Sequence, residues 1–205
     1  MTTRRIFLTF SGTAVLGAAF WLPSSAQAQA ATDRAGAFVK SAGEQLVAVV
    51  NAPGLIQEKR PQLTHIVEAT VDIDGVAKFC LGRFWRTATP AQQKQYTTLF
   101  HDVLVNSVTS NLGDYQGVRL TVIRTQQRED TQVVTTRVER PNNPPSQVDW
   151  VISQDTGTPK IVDVIAEGTS LRLTQRSDYA AYLSRNGNSV QALIDAMRQQ
   201  IVQNG

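Results

Sequence analysis

The chain has 205 residues, with 20 lysines and arginines against 17 aspartates and glutamates, and 41% of its residues are hydrophobic. The net charge of +3 is small and predicts no nucleic-acid partner, since nucleic-acid binding needs a clustered basic face. A single cysteine, Cys80, excludes an intrachain disulfide, and the length is enough to bury a core without one. The cysteine lies in an apolar run, which favours a buried residue over a reactive one.

The first 30 residues have the order of features of a cleavable signal peptide. Arg4 and Arg5 form a positive segment, an apolar stretch follows, and small residues offer cleavage after Ala28 or Ala30. That stretch is too short to span a bilayer core of about 30 Å, so it does not predict a transmembrane anchor. The arginine pair also matches the twin-arginine pattern, which leaves that route and the general secretory route open. We expect residues 1–30 to be removed and the protein to be exported.

The remaining chain, 31–205, has the length of one domain and is nearly neutral. Its first half predicts helices from apolar residues spaced by threes and fours. Asp33 is placed to cap the first helix, and the segment Asn51-Ala52-Pro53-Gly54 ends it. A second helix is expected after Pro61, and a third, shorter one ends near Gly82.

The fourth helix has the clearest signals. Thr89-Pro90-Ala91-Gln92 is a capping box with proline at the first helical position, and Gly113 is the expected end. One apolar stripe runs along it, comprising Tyr96, Leu99, Phe100, Val103, Leu104, Val108 and Leu112.

The second half changes to the alternation that strands show. Strands are predicted over 118–125, 133–139, 148–152 and 160–165, separated by short turns, and a further strand is possible through Leu171 and Leu173. Two amphipathic helices close the chain. Helices first, then a meander of strands, then short helices predict an α+β fold, with helices against one face of an antiparallel sheet.

Signals of catalysis or metal binding are few. The sequence contains neither a glycine-rich phosphate loop nor a Gly-x-Ser-x-Gly elbow. His65 and His101 are far apart, and Asp72 and Asp74 are better explained as helix-end residues than as metal ligands. Asp163 lies in the most apolar strand, where it is either a general base with a raised pKa or, as we favour, a residue paired with an arginine or facing solvent.

The order of these segments resembles the MlaC and toluene-tolerance family of periplasmic phospholipid-binding proteins, including its hopanoid-associated relatives. The segments that carry the resemblance are Val71-Asp72-Ile73-Asp74, Leu81-Gly82-Arg83-Phe84-Trp85, Thr87-Ala88-Thr89-Pro90-Ala91-Gln92-Gln93, Val148-Asp149-Trp150, Lys160-Ile161-Val162-Asp163-Val164 and Glu167-Gly168-Thr169-Ser170-Leu171. The chain departs from the family pattern at Ile73, Asn106 and Ser107, where family members often carry aromatic residues. The departures leave the lipid preference open.

The resemblance implies a carrier rather than an enzyme: a monomer without cofactor or metal that moves phospholipid through the periplasm. Its implied partners are an inner-membrane ABC transporter complex and an outer-membrane lipid-transfer complex, and its implied role is to maintain outer-membrane lipid asymmetry and solvent tolerance. The alternatives are a hopanoid or isoprenoid-lipid carrier and a small cone-fold enzyme with Asp163 or His101 as base.

The resemblance also implies an apolar cavity between the helices and a curved sheet. We predict that its wall is formed by Val76, Phe79, Phe84, Leu99, Phe100, Val103, Leu104, Val122, Val134, Val138, Trp150, Ile152, Val164 and Leu171. About half of these are expected to be ordinary core. Arg83 and Arg86 are the candidates for contact with the lipid headgroup, and Trp85 for packing below the cavity.

Overall fold

A computed structural model describes residues 24–110, 115–154 and 157–204. The helices are α1 (Ser24–Asn51), α2 (Ile56–Thr70), α3 (Ile73–Leu81), α4 (Pro90–Ser110), α5 (Leu171–Arg185) and α6 (Val190–Asn204). The strands are β1 (Arg119–Arg128), β2 (Thr131–Glu139), β3 (Ser146–Ser153), β4 (Lys160–Ala166) and β5 (Thr169–Ser170). A 3₁₀ segment, Gly82–Arg86, links α3 to α4. The predicted α+β class is confirmed.

Two predicted helix starts are wrong. Asp33 does not cap α1, because the helix already begins at Ser24 and the alanines and glutamines before Asp33 are strong helix formers. The predicted cleavage positions, Ala28 and Ala30, therefore lie inside α1 of the uncleaved chain, and residues 1–23 are outside the described residues.

The second helix also begins earlier than predicted, at Ile56, and contains Pro61. The Leu55 N–H donates to Glu58 Oε2 at 3.0 Å, which fixes the first turn ahead of the proline. Pro61 itself is exposed, so the carbonyl that loses its helical partner can bond to water.

The caps of α3 and α4 agree with the prediction. Asp72 Oδ1 accepts from the Gly75 N–H at 3.1 Å, and α3 ends at Gly82, whose φ of +59° favours glycine. In the capping box, the Thr89 N–H donates to Gln92 Oε1 at 3.0 Å and the Gln92 N–H to Thr89 Oγ1 at 3.2 Å. The predicted continuation of α4 to Leu112 and Gly113 lies outside the described residues.

The strands form one antiparallel meander in the order β1-β2-β3-β4-β5, as predicted. The connection between the strands predicted over 118–125 and 133–139 is shorter than predicted, because β1 continues to Arg128 and only Glu129 and Asp130 make the turn. Register shifts occur between Val122 and Arg124 and between Val151 and Ile152. Such bulges bend and twist a sheet locally.

The strand predicted through Leu171 and Leu173 is wrong, since Leu171 begins α5. Ser170 caps this helix by accepting the Leu173 N–H on its Oγ at 3.2 Å. Strand β5 is thereby limited to two residues.

The helices are connected through α2, which contacts both α1 and α4. Helix α1 lies over β1 and β2, whereas α4 packs against α2, α3 and α6, and α3 and α5 contact β4. None of the described helices combines the length and hydrophobicity that crossing a membrane requires.

Candidate lipid-binding site

The predicted wall residues divide between two large apolar clusters. The helical cluster, centred on Tyr96, contains Val76, Phe79, Phe84, Leu99, Phe100, Val103 and Leu104. The sheet cluster, where α1 covers the strands, contains Val122, Val134, Trp150, Ile152 and Val164. Val138 belongs to a third cluster near the end of α1, with Val50 and Leu63.

Burial separates the wall residues into two kinds. The buried members, which fit a purely structural role, are Phe84, Phe100, Val134, Val138 and Ile152. Half-buried members keep apolar surface free for contact, and they are Val76, Phe79, Leu99, Val103, Leu104, Val122, Trp150 and Val164. Leu171 is 52% exposed at the start of α5, outside the apolar clusters of the described residues.

The sheet side of the site has a continuous row of apolar side chains. Val134 pairs with Trp150, and Trp150 pairs with Val164, so the three lie side by side on one face. The Trp150 indole Nε1–H donates to Thr136 Oγ1 at 2.9 Å, and Thr136 Oγ1 donates to the Val148 carbonyl at 3.2 Å. Because the indole N–H is already satisfied, the rest of the ring is free for apolar contact.

Tyr96 anchors the helical side. Its hydroxyl donates to the Ala77 carbonyl at 2.9 Å, and its ring lies 5.9 Å from that of Phe100 and 6.1 Å from that of Tyr179. Burial raises the pKa of Tyr96 and of Tyr179 far above the ordinary value, so both hydroxyls stay neutral. These contacts tie α3, α4 and α5 into one rigid support for the half-buried residues.

Asp163 has the structural role that the sequence favours. Its Oδ2 accepts from Ser170 Oγ at 2.6 Å, and its Oδ1 accepts the Arg172 N–H at 3.1 Å and the Val164 N–H at 2.8 Å. Arg172 Nε lies 3.5 Å from Oδ2. The carboxylate therefore holds the start of α5 on β4.

The histidines do not form a metal centre in the described part of the chain. His101 Nε2 lies 2.9 Å from Glu68 Oε1 and its Nδ1 lies 3.2 Å from Asp102 Oδ1, while His65 is exposed. Within the described ranges, no three His, Cys, Asp or Glu side chains come together as a metal ion would require.

Cys80 is 2% exposed, and burial raises its thiol pKa from 9.0 to about 12. We expect the folded protein to resist a thiol-specific disulfide reagent near neutral pH, and one thiol per chain to react in guanidinium.

The raised thiol pKa also makes stability depend on pH. Above pH 9 the unfolded chain releases the Cys80 thiol proton while the folded chain keeps it. The Cys80 thiol therefore lowers the free energy of unfolding as the pH rises from 9 to about 12. Unfolding curves for wild type and Cys80→Ala over this pH range check the direction of the change in stability. Rapid labelling of the folded protein would contradict the burial of the thiol.

Three arginines stack on aromatic rings of the helical cluster. Arg83 stacks on Phe84, with 4.8 Å from Cζ to the ring centroid, and Arg86 is exposed. Sequence reasoning missed Arg172 and Arg176, which both stack on Phe79, at 4.5 and 4.9 Å. Their i, i+4 spacing was a visible signal, but Phe79 belongs to another helix.

A recess of about 350 Å³ lies elsewhere, on the sheet face opposite the Trp150 row. It contains none of the predicted wall residues and is lined by Arg140, Asn143, Pro144 and Pro145 before β3, by Ser146, Gln147 and Asp149 of β3, and by Ile165, Glu167 and Gly168. Arg140, Asp149 and Glu167 place charged groups in its lining, which does not suit an acyl chain.

The sequence profile of the MlaC protein family matches residues 40–199. The toluene tolerance protein ttg2D of Pseudomonas putida is 26% identical over 135 residues, which cover 65% of this chain and 63% of that protein. A phospholipid-binding protein of Ralstonia solanacearum, solved in complex with a phospholipid, superposes with a TM-score of 0.74 at 22% identity. The match covers 82% of this chain and 97% of that one, and it shows a common fold. Since the family profile spans most of the sequence, the chain belongs to the MlaC family.

Proposed function

We propose that this protein is a phospholipid carrier of the periplasm. In this proposal it receives lipid from one membrane complex and delivers it to another, between an inner-membrane ABC transporter complex and an outer-membrane complex. This exchange would maintain the asymmetry of the outer membrane. The acyl chains lie between the helical cluster and the sheet cluster, and no covalent chemistry is involved.

The observation that carries the proposal is the set of half-buried apolar side chains in two separate clusters of an MlaC-family fold. Each methylene group exposed to water costs about 0.8 kcal/mol, so a phospholipid with two long chains cannot cross an aqueous space unshielded. Side chains such as Leu99, Val103 and Trp150 offer apolar surface without disruption of the buried core beneath them.

The similar proteins add support of a coarser kind. The Ralstonia protein shares the fold and holds a phospholipid, and the Pseudomonas protein is named for toluene tolerance. Both are compatible with lipid transport by this chain.

Native mass spectrometry of the protein expressed in bacteria and purified without detergent tests the proposal. We expect the main species to exceed the polypeptide mass by that of a phospholipid, which chromatography of the extracted ligand then identifies. A hopanoid or another isoprenoid lipid in the extract would replace the phospholipid as cargo. A clean apo mass from lipid-replete cells would count against a carrier of either kind.

A further inference from the structure

Two arginines on α5 are held over the same aromatic ring. The guanidinium carbon of Arg172 lies 4.5 Å from the centroid of Phe79, and that of Arg176 lies 4.9 Å from it. The two residues are one helical turn apart, so their charges are concentrated in one place. Like charges repel, and the shared aromatic surface is one of the contacts that keeps them together.

The backbone also makes room for Arg176. A β-carbon at Gly82 would come within 3.2 Å of Arg176 Nε and 3.3 Å of its Cζ and Nη2. A side chain at Gly82 would crowd the Arg176 guanidinium, which would have to shift by a few tenths of an ångström, and the φ of +59° at Gly82 also favours glycine. The glycine of the Leu81-Gly82-Arg83 segment therefore leaves room for Arg176 as well as ending the helix.

Only part of the positive charge is balanced locally. Asp163 faces Arg172, but its oxygens also accept the Ser170 hydroxyl and two backbone N–H groups. Among the described residues, the terminal nitrogens of Arg172 and Arg176 make no hydrogen bond to protein, and the Arg176 side chain is exposed. One carboxylate against two guanidiniums leaves a net charge of +1 and two free donor forks.

Paired guanidinium forks on a fixed support match the oxygens of a tetrahedral anion, since arginine binds phosphate through two parallel N–H bonds. We propose that Arg172 and Arg176 form a phosphate-binding site. If the proposed function holds, the ligand is the phosphate of the carried phospholipid. Phe79, a half-buried residue of the predicted wall, has its ring centroid within 4.9 Å of both guanidinium carbons, so apolar and cationic surfaces adjoin as an amphipathic lipid requires.

Calorimetry on the delipidated full chain tests this inference with three probes: dihexanoylphosphatidylglycerol, dihexanoylglycerol without phosphate, and inorganic phosphate. The variant is Arg176→Gln, and the control is Arg185→Gln, which removes the same charge from the exposed last turn of the same helix. We expect Arg176→Gln to lower the affinity for dihexanoylphosphatidylglycerol about tenfold or more. Binding of dihexanoylglycerol should change less than twofold, and Arg185→Gln should bind all three probes as wild type does.

The outcomes separate the site from the carrier function. Equal weakening of both lipids, or no effect of Arg176→Gln on any probe, would overturn the phosphate site. If Arg176→Gln lost binding of inorganic phosphate but bound both lipids as wild type does, the phosphate site would stand and its ligand would be free phosphate. If neither lipid binds any variant but phosphate binding still depends on Arg176, the carrier function fails while the site stands.

Discussion

Replacing Val103 with arginine is expected to abolish the bound lipid while the fold is retained. Val103 is half-buried in the helical cluster, on the α4 face that also carries Leu99 and Phe100. A guanidinium against an acyl chain has no partner, and burial of an unpaired charge costs several kcal/mol. About 3 kcal/mol corresponds to a more than hundredfold loss of affinity. The measurement is the fraction of lipid-bound protein in native mass spectra.

The matched control is Val202→Arg, because Val202 is the same residue type but 83% exposed on α6. It should retain wild-type lipid occupancy. Circular dichroism checks that both variants fold, which we expect because in the lipid-free protein a long side chain at a half-buried position can extend its charge to water, whereas a bound acyl chain would cover that charge. A folded Val103→Arg protein with its full lipid complement would place the acyl chains elsewhere.

Local sequence predicted the elements whose ends depend on neighbouring residues. The capping box at Thr89 and Gln92 fixes the start of α4, and Asp72 and Gly82 bound α3, all within one turn of the residues they cap. The order of the strands followed from alternation and short connections.

Errors arose where a distant or competing contact decides the boundary. The alternation at Leu171 and Leu173 suggested a strand, but Asp163 accepts the Arg172 N–H and Ser170 accepts the Leu173 N–H, which starts a helix. The polar end of β1 looked like a turn because β1 is an edge strand of the described sheet, and its polar residues face water.

The candidate site was predictable in composition but not in accessibility. Apolar periodicity marks Phe100 and Leu99 alike, although the first is buried and the second is half-buried. That difference depends on how α4 packs against other helices. The pair Arg172 and Arg176 could not be predicted for a similar reason, since only the packing of α5 on α3 brings Phe79 into contact with both residues.

Asp163→Ala is expected to be among the most destabilising single changes in the protein. The side chain is 4% exposed and is the common acceptor for Ser170 Oγ and the Arg172 N–H, so alanine leaves both donors without this partner. It also leaves Arg172, whose Nε is buried, without its counter-charge. Each donor that loses its buried acceptor costs about 1–3 kcal/mol, and urea unfolding followed by circular dichroism would measure the combined loss.

Two further variants test whether the lower stability of Asp163→Ala comes from the buried contacts of Asp163. Asp178→Ala removes a carboxylate from the exposed surface of α5 and should change stability by less than about 0.5 kcal/mol. Asp163→Asn keeps the shape and part of the hydrogen bonding, so it should cost about 1–3 kcal/mol and still carry lipid below its unfolding temperature. If Asp163→Asn were fully stable yet lost an enzymatic turnover of the wild type, Asp163 would be a general base and the protein an enzyme. If Asp163→Ala were as stable as Asp178→Ala, Asp163 would not be the residue that holds α5 on the sheet.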